Sequence, residues 1–122
     1  MTQADDLRAR MATLEVAGRI SGAARATAIA VPQLDDKRYL CGPNRSRDWV
    51  RNLLTAGTCR LAPDEPEYRA SLVDADEGAP VLDLYLGQLG RVSEEWPFEA
   101  AASLEEIAKN WDTMAVFRLE TV

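Results

Sequence analysis

The sequence predicts an α+β domain in which an antiparallel sheet of six strands closes into a small barrel. Three observations lead to this prediction. A chain of 122 residues is long enough to bury one core and form one domain, here taken as residues 1–122. Short apolar runs alternate with turn residues, which is typical of strands joined by hairpins. One helical segment follows the third strand, and further helical segments precede the last strand.

The composition narrows the class of protein. The chain is 47% hydrophobic and 28% charged, as in soluble globular proteins. It has no apolar run long enough to cross a membrane, and Asp5 and Asp6 argue against a signal peptide. Cys41 and Cys59 form no Cys-x-x-Cys pair, which indicates a reducing compartment. We therefore expect a cytoplasmic protein with no transmembrane segment.

The charged and titratable residues exclude several kinds of function. The chain contains no histidine, which rules out Ser-His-Asp and Cys-His catalysis and most zinc sites, so no metal site is predicted. Residues 1–60 carry ten basic and six acidic side chains, whereas residues 61–122 carry four and fourteen. The total charge of −6 argues against nucleic acid. A compact anion bound by the first half, such as a phosphorylated cofactor, fits better.

The residue pattern of the first half of the chain predicts three strands. Residues 4–11 form a short helix or arm, residues 13–17 the first strand and residues 25–31 the second. The third strand covers residues 38–41. In the second strand one face consists of small side chains, namely Ala24, Ala26, Ala28 and Ala30. This face leaves room for a packed helix or for a flat ligand ring.

The turn between the first two strands is the main candidate site. Two glycines and a serine lie between Arg19 and Arg25. Backbone amides of such a turn form a concavity that attracts anions, and arginine suits phosphate and carboxylate groups. The segment therefore predicts a hairpin that binds an anionic group. The alternative is a plain hairpin with two solvated arginines.

The remaining elements follow from capping and periodicity. Ser46 is the expected N-cap of a helix that ends at Gly57, and the loop before that helix is a second place where an anion could bind. The other predicted elements are strands over residues 58–62 and 68–73, a helix over 76–90, an irregular segment over 93–102, a short helix opened by the capping box at 103–106, and a closing strand over 113–121. In the closing strand, Ala115, Phe117 and Leu119 are expected to face one way and Val116 and Arg118 the other.

An ordered set of short motifs resembles a known family. The motifs are Gly18-Arg19-x-Ser21-Gly22-x-x-Arg25, Tyr39-Leu40, Asp48-Trp49-Val50-Arg51-Asn52-Leu53, Ala79-Pro80-Val81-Leu82 with Tyr85-Leu86, and Val116-Phe117-Arg118-Leu119. Over about residues 12–120 the chain resembles the deazaflavin-dependent nitroreductases, which are actinobacterial flavin/deazaflavin oxidoreductases. The resemblance implies an FMN-binding-like split β-barrel.

The resemblance also implies a function. It implies that reduced deazaflavin coenzyme F-420, or alternatively FMN, supplies hydride to a small organic acceptor of the nitro, quinone or enone type. Arg19 and Arg25 would bind the anionic tail, assisted by amides around Ser21 and Gly22. The ring or its ribityl chain would be lined by Gly42, Pro43 and Asn44, and Trp49 and Asn52 would complete the pocket. Ile20 lies in this turn where the family often has a basic residue, which should weaken binding of the tail.

Several alternatives stay open at this point. The barrel could instead be a non-catalytic binding protein for a flavin-like, tetrapyrrole or lipid ligand, or an inert homodimer. No catalytic residue is assigned. A proton could come from water, a carboxylate or one of the three tyrosines, Tyr39, Tyr68 and Tyr85, each of which could equally be a packing residue. Trp49 could stack on the cofactor or belong to the core.

Overall fold

Seven strands form one curled antiparallel sheet in the computed structural model, which describes residues 11–62, 66–89 and 104–122. The strands are β1 (Met11–Ala17), β2 (Ala24–Ala30), β3 (Gln33–Leu34), β4 (Lys37–Gly42), β5 (Thr58–Ala62), β6 (Glu67–Leu72) and β7 (Ala115–Thr121). Their order in the sheet is β2-β1-β5-β6-β7-β4-β3. This curled sheet with its helices confirms the predicted α+β split-barrel fold class.

Within the described residues, three helices and one short 3-10 turn accompany the sheet. They are α1 (Asp48–Ala56), α2 (Ala75–Leu89), α3 (Leu104–Lys109) and the 3-10 turn Trp111–Thr113. As predicted, α1 lies between the strand that ends at Gly42, β4, and the strand that begins at Thr58, β5. Also as predicted, α2 and α3 precede the closing strand. Residues 4–10 of the arm predicted over residues 4–11, the irregular segment over 93–102 and Ser103 of the capping box lie outside the described residues. Met11, the last residue of the predicted arm, is instead the first residue of β1.

The sheet has one strand more than the six predicted. The additional strand, β3, pairs with β4 through only two residues, Gln33 and Leu34. The predicted turn between them is present, and both Asp35 and Asp36 have positive φ angles, 53° and 64°. Positive φ at both central residues is what a two-residue hairpin requires, and aspartate tolerates it.

The inner core lies between the concave face of the sheet and α1. Buried side chains alternate along the strands, so that Leu14, Leu61 and Phe117 point toward the helix. From α1, Val50 and Leu53 fill the centre of this core. The helix ends as predicted, because Gly57 adopts a left-handed conformation (φ 75°) and donates its N–H to the Leu53 carbonyl.

The predicted helix start is wrong by one residue. Arg47, not Ser46, is the N-cap, and it makes no side-chain capping hydrogen bond. The Ser46 hydroxyl instead donates to Asn44 Oδ1, which also accepts from the Ser46 N–H. This local Asx-type turn competes with capping for the serine hydroxyl.

A second core lies on the opposite face of the sheet, under α2 and α3. Its buried members include Tyr39 and Cys41 of β4 and Val116 of β7, whereas Phe117 and Leu119 of β7 face the inner core. The predicted alternation of the closing strand is therefore confirmed. Leu82 of α2 is fully buried against this face.

Two contacts hold α2 to its surroundings. Gly78 lies directly under the Trp111 ring, and a Cβ atom there would overlap that ring. The Trp111 indole N–H donates to the Val73 carbonyl at 3.1 Å, which fixes the ring in place. On the sheet side, Glu77 accepts hydrogen bonds from Arg118 (2.7 Å to Oε1) and from the Tyr39 hydroxyl (3.0 Å to Oε2).

The alanine face of β2 has a different environment from the core faces. Ala24, Ala26 and Ala28 are exposed at the sheet edge, so within the described residues no helix packs on them.

Among the helices that the structure describes, none is both long and apolar enough to span a membrane.

Candidate functional site

A cavity of about 310 Å³ lies between the turn that joins β1 to β2 and the amino end of α1. One wall comes from the turn and the start of β2, and the other from the first turns of α1. Its lining residues are Gly18, Arg19, Ile20, Ser21, Arg25, Ala26, Thr27, Asp48, Trp49 and Asn52. The mouth is open to solvent, because the Ile20 side chain is 91% exposed.

Hydrogen bonds within the turn use three of its backbone amides. The Gly18 N–H donates to the Ala23 carbonyl, and the Gly22 N–H donates to the Gly18 carbonyl, each at 2.8 Å. The Ala23 N–H donates to Ser21 Oγ at 3.2 Å, so the serine stabilises the turn. Gly22 has a φ of 77°, which only glycine adopts without strain. These three amides are therefore already paired, so side chains and the remaining amides of the turn would have to recognise an anion.

Asn52 connects the turn to the helix. Its side chain is 5% exposed, and its Oδ1 accepts from the Arg19 backbone N–H at 3.0 Å and from Arg19 Nη1 at 2.8 Å. Arg19 Nη2 also lies 3.4 Å from Asp48 Oδ1. The Arg19 guanidinium is thus fixed against α1 by an amide and a carboxylate.

Arg25 differs from Arg19 in its environment. It is exposed at the start of β2 and faces the same cavity. Across residues 11–62, 66–89 and 104–122, its guanidinium has no hydrogen-bond or ion-pair partner. An unpaired guanidinium at a cavity wall has its full set of donors available for an anionic ligand.

Trp49 belongs mainly to the core. It is 8% exposed, and its ring centroid lies 6.2 Å from that of Phe117. Its other side contacts Gly42, where a Cβ atom would lie 3.1 Å from Trp49 Cζ2 and 2.7 Å from Val50 Cγ2. Gly42 therefore lets α1 approach the sheet closely, and only part of the indole reaches the cavity wall.

The structure brings together six of the ten predicted binding residues, and these are Arg19, Ile20, Ser21, Arg25, Trp49 and Asn52. The other four lie elsewhere. Gly22 lines a second, more open cavity of about 200 Å³ on the far side of β1. Gly42 and Pro43 are buried, and Asn44 Oδ1 is engaged by Ser46. The binding role of all ten residues stays a prediction.

Four lining residues are not among the ten predicted binding residues: Gly18, Ala26, Thr27 and Asp48. Of these, Ala26 belongs to the alanine face that was expected to admit a helix or a flat ligand ring. Thr27 has the same strand face as Arg25, so alternation along β2 was a signal that could have identified it. Asp48 precedes Trp49 at the start of α1, on the side that the turn contacts through Arg19. That contact joins residues far apart in sequence, and no local pattern signals it.

The three tyrosines lie away from this cavity. The Tyr39 hydroxyl donates to Glu77, and burial, together with that carboxylate, raises the pKa of Tyr39 to about 12. Tyr68 accepts from Arg38 Nη1 at 3.1 Å. Burial raises the pKa of Tyr85, which lies on α2, to about 12. Hydroxyl and carboxyl groups at the cavity wall come instead from Ser21, Thr27 and Asp48.

No protein-family profile matches the chain, and no curated protein matches it in sequence. Solved structures do match it, and they define its class as a split-barrel fold. A heme-binding protein from Mycobacterium smegmatis is 16% identical, with a TM-score of 0.62 over 98% of this chain. The chain spans 50% of that protein.

Two further structures extend the comparison. An F420 reductase is 15% identical, with a TM-score of 0.58 and coverage of 97% of this chain and 92% of the reductase. A putative 5-nitroimidazole antibiotic resistance protein from Bacteroides thetaiotaomicron is 8% identical, with a TM-score of 0.62 and coverage of 96% and 76%. At these identities the likeness shows the shared fold.

Proposed function

We propose that this chain is an oxidoreductase of the deazaflavin-dependent nitroreductase type, which uses reduced coenzyme F-420, or alternatively FMN, to reduce a small organic acceptor. The observation that carries the proposal is the cavity beside the β1–β2 turn, where Arg25 lines the wall and has no hydrogen-bond or ion-pair partner among the described residues. The split-barrel likeness to an F420 reductase and a putative nitroimidazole resistance protein supports it.

The cavity residues fit part of such a coenzyme. The volume of about 310 Å³ lies at the lower end of small-molecule pockets, which run from about 300 to 1,000 Å³. Arg25 would hold the phosphate through a charge-assisted, bidentate contact. Ile20 and the exposed edge of Trp49 offer apolar surface for the adjoining ribityl chain or ring edge.

The chain's own residues would supply position rather than reactive groups. When bound, the coenzyme supplies the hydride, and the protein orients it. Asn52 fixes the turn against α1, which sets the distance between the two cavity walls. Ser21, Thr27 and Asp48 provide hydroxyl and carboxyl groups that can pass a proton from the open mouth to a bound acceptor.

A binding titration tests the proposal. Purified protein is titrated with F-420 and with FMN, and binding is followed by ligand fluorescence. Arg25→Ala should weaken binding of either coenzyme at least about tenfold, because a hydrogen bond to a charged group contributes ~1.5–3 kcal/mol. The bound reduced coenzyme should then be oxidised by a quinone or nitroaromatic acceptor.

Arg60→Ala is the matched control. Arg60 is an exposed arginine on β5 that lies outside the cavity wall, so its loss should change affinity by less than about twofold. Equal losses in the two variants would assign the effect to general charge. Failure of the wild-type protein to bind either coenzyme would refute the proposal.

A second candidate function is that of a non-catalytic binding protein for a flavin-like, tetrapyrrole or lipid ligand. The open mouth of the cavity favours it, because an exposed site admits water and protects a bound reduced group poorly. The likeness to a heme-binding protein also supports it. This candidate predicts saturable binding of hemin or a flavin, with no oxidation of reduced coenzyme by any acceptor.

A further inference from the structure

The charges around the cavity are arranged unevenly. Its described wall carries Arg19, Arg25 and Asp48, which sum to a formal charge of +1. Asp48 Oδ1 lies 3.4 Å from Arg19 Nη2, and the Asp48 side chain is 87% exposed. Asn52 occupies Arg19 Nη1 at 2.8 Å. The charge of Arg19 is therefore paired with a carboxylate, and part of its hydrogen-bond donors are occupied, before any ligand binds.

Only one of the two arginines is then ready to bind an anion. Arg25 has no partner among the described residues, whereas Arg19 would have to give up Asp48 to bind a ligand in the same way. Ile20, at the rim between them, is 91% exposed and carries no charge. A single compact anion can be matched by Arg25 alone.

A ligand with several negative charges meets a different environment. If its first anionic group binds Arg25, the following groups extend along a wall where the exposed carboxylate is Asp48. The Asp48 carboxylate repels these further anionic groups, and salt at ordinary ionic strength screens the repulsion only partly. The Arg19–Asp48 pair carries no net formal charge, so it offers a polyanion no net attraction.

We infer that Asp48 sets the charge specificity of the cavity, so that it takes a ring ligand with one compact phosphate and gains nothing from a polyanionic tail. This inference rests on the proposed function, and it deepens it by naming the part of the coenzyme that is recognised. The phosphate is bound at Arg25, and an oligoglutamate tail lies outside in solvent. Asp48 acts through Arg19 and through direct repulsion.

The test compares ligands that differ only in charge. Wild-type protein, Asp48→Asn and Asp76→Asn are titrated with riboflavin, FMN, F-420 with a short tail and F-420 with a long tail. Asp76 is an exposed acidic residue in the first turn of α2, outside the cavity wall, so its variant has the same net charge as Asp48→Asn. Inorganic phosphate and a triglutamate peptide are titrated alongside as ring-free probes.

The expected results are specific to Asp48. In the wild-type protein, FMN binds at least about tenfold more tightly than riboflavin, and tail length does not increase affinity. Asp48→Asn raises affinity for long-tailed F-420 and for triglutamate about fivefold, and this gain shrinks at high salt. Riboflavin is unaffected, and Asp76→Asn behaves as wild type.

Two outcomes overturn the inference. One is tighter binding of long-tailed than short-tailed F-420 by the wild-type protein. The other is an equal gain for polyanions in both aspartate variants. If no ring ligand binds but Asp48→Asn alone gains affinity for triglutamate over phosphate, the charge specificity stands while the proposed coenzyme function falls.

Discussion

Replacing Asn52 by alanine should destabilise the protein by far more than an ordinary polar substitution on the same helix. The Asn52 side chain is 5% exposed, and its Oδ1 accepts two hydrogen bonds from Arg19, one from the backbone N–H and one from the guanidinium. Alanine removes this acceptor, and with it both hydrogen bonds, and leaves two partly buried donors unsatisfied.

The size of the effect follows from these two contacts. A neutral hydrogen bond contributes about 1 kcal/mol and a charge-assisted one about 1.5–3 kcal/mol, so the loss is about 3 kcal/mol. Unfolding entropy of about 2.1 cal/mol/K per residue gives this 122-residue chain a Tm change of about 4 °C per kcal/mol. Asn52→Ala should therefore lower Tm by about 12 °C.

Chemical denaturation followed by circular dichroism measures this loss. Thr55→Ala is the matched control, because Thr55 lies on the same helix and its hydroxyl makes one exposed hydrogen bond to the Arg51 carbonyl. It should cost less than about 0.5 kcal/mol. A double-mutant cycle with Arg19→Ala should show coupling of at least about 1 kcal/mol. Additive effects of Asn52→Ala and Arg19→Ala, or equal effects of the Asn52 and Thr55 variants, would refute the reasoning.

Two further predictions concern the attachment of α2. Gly78→Ala should destabilise by about 1–3 kcal/mol in denaturant titrations, because the new methyl overlaps the Trp111 ring and outweighs a helix-propensity gain of about 1 kcal/mol. In a Trp111→Ala background the same change should stabilise, and a persistent loss there would contradict the steric explanation. For Glu77, burial alone would raise the carboxyl pKa, but hydrogen bonds from Arg118 and Tyr39 outweigh it and hold the pKa below its usual 4.5. The contacts of ionised Glu77 with Arg118 and Tyr39 therefore stabilise the folded protein above about pH 4.5, and this stability is lost as the pH falls through the folded-state pKa of Glu77. The stability difference between wild type and Glu77→Gln should therefore narrow between about pH 6 and pH 3, and a constant difference would count against the ion pair.

The sequence predicted those helices and strands that are specified by neighbouring residues in the chain. Alternation and turn residues located the strands to within about two residues, and Gly57 marked the end of α1 because its left-handed conformation is a local requirement. The closing strand was predicted down to its two faces. Strand β3 was missed because two residues are too few to show a period.

The parts that sequence could not predict depend on long-range contacts. The Arg19–Asn52 pair joins residues 33 positions apart, so neither residue alone indicates that Arg19 is already engaged. The same holds for Asp48, which local reasoning assigns only to the first turn of a helix. Among the turn amides that were expected to assist anion binding, those of Gly18, Gly22 and Ala23 have partners within the turn, and the Arg19 amide donates to Asn52 on α1.

The two walls of the cavity come from segments that are distant in the chain and meet only through the packing of α1 against the turn. An unfolded chain therefore presents no such site, and binding there is coupled to folding. A ligand present at one hundred times its dissociation constant adds about 2.7 kcal/mol to stability. At about 4 °C per kcal/mol, that is a thermal shift of about 10 °C. A melting-temperature screen of phosphorylated and unphosphorylated ring compounds would thus identify the natural ligand without any knowledge of the reaction.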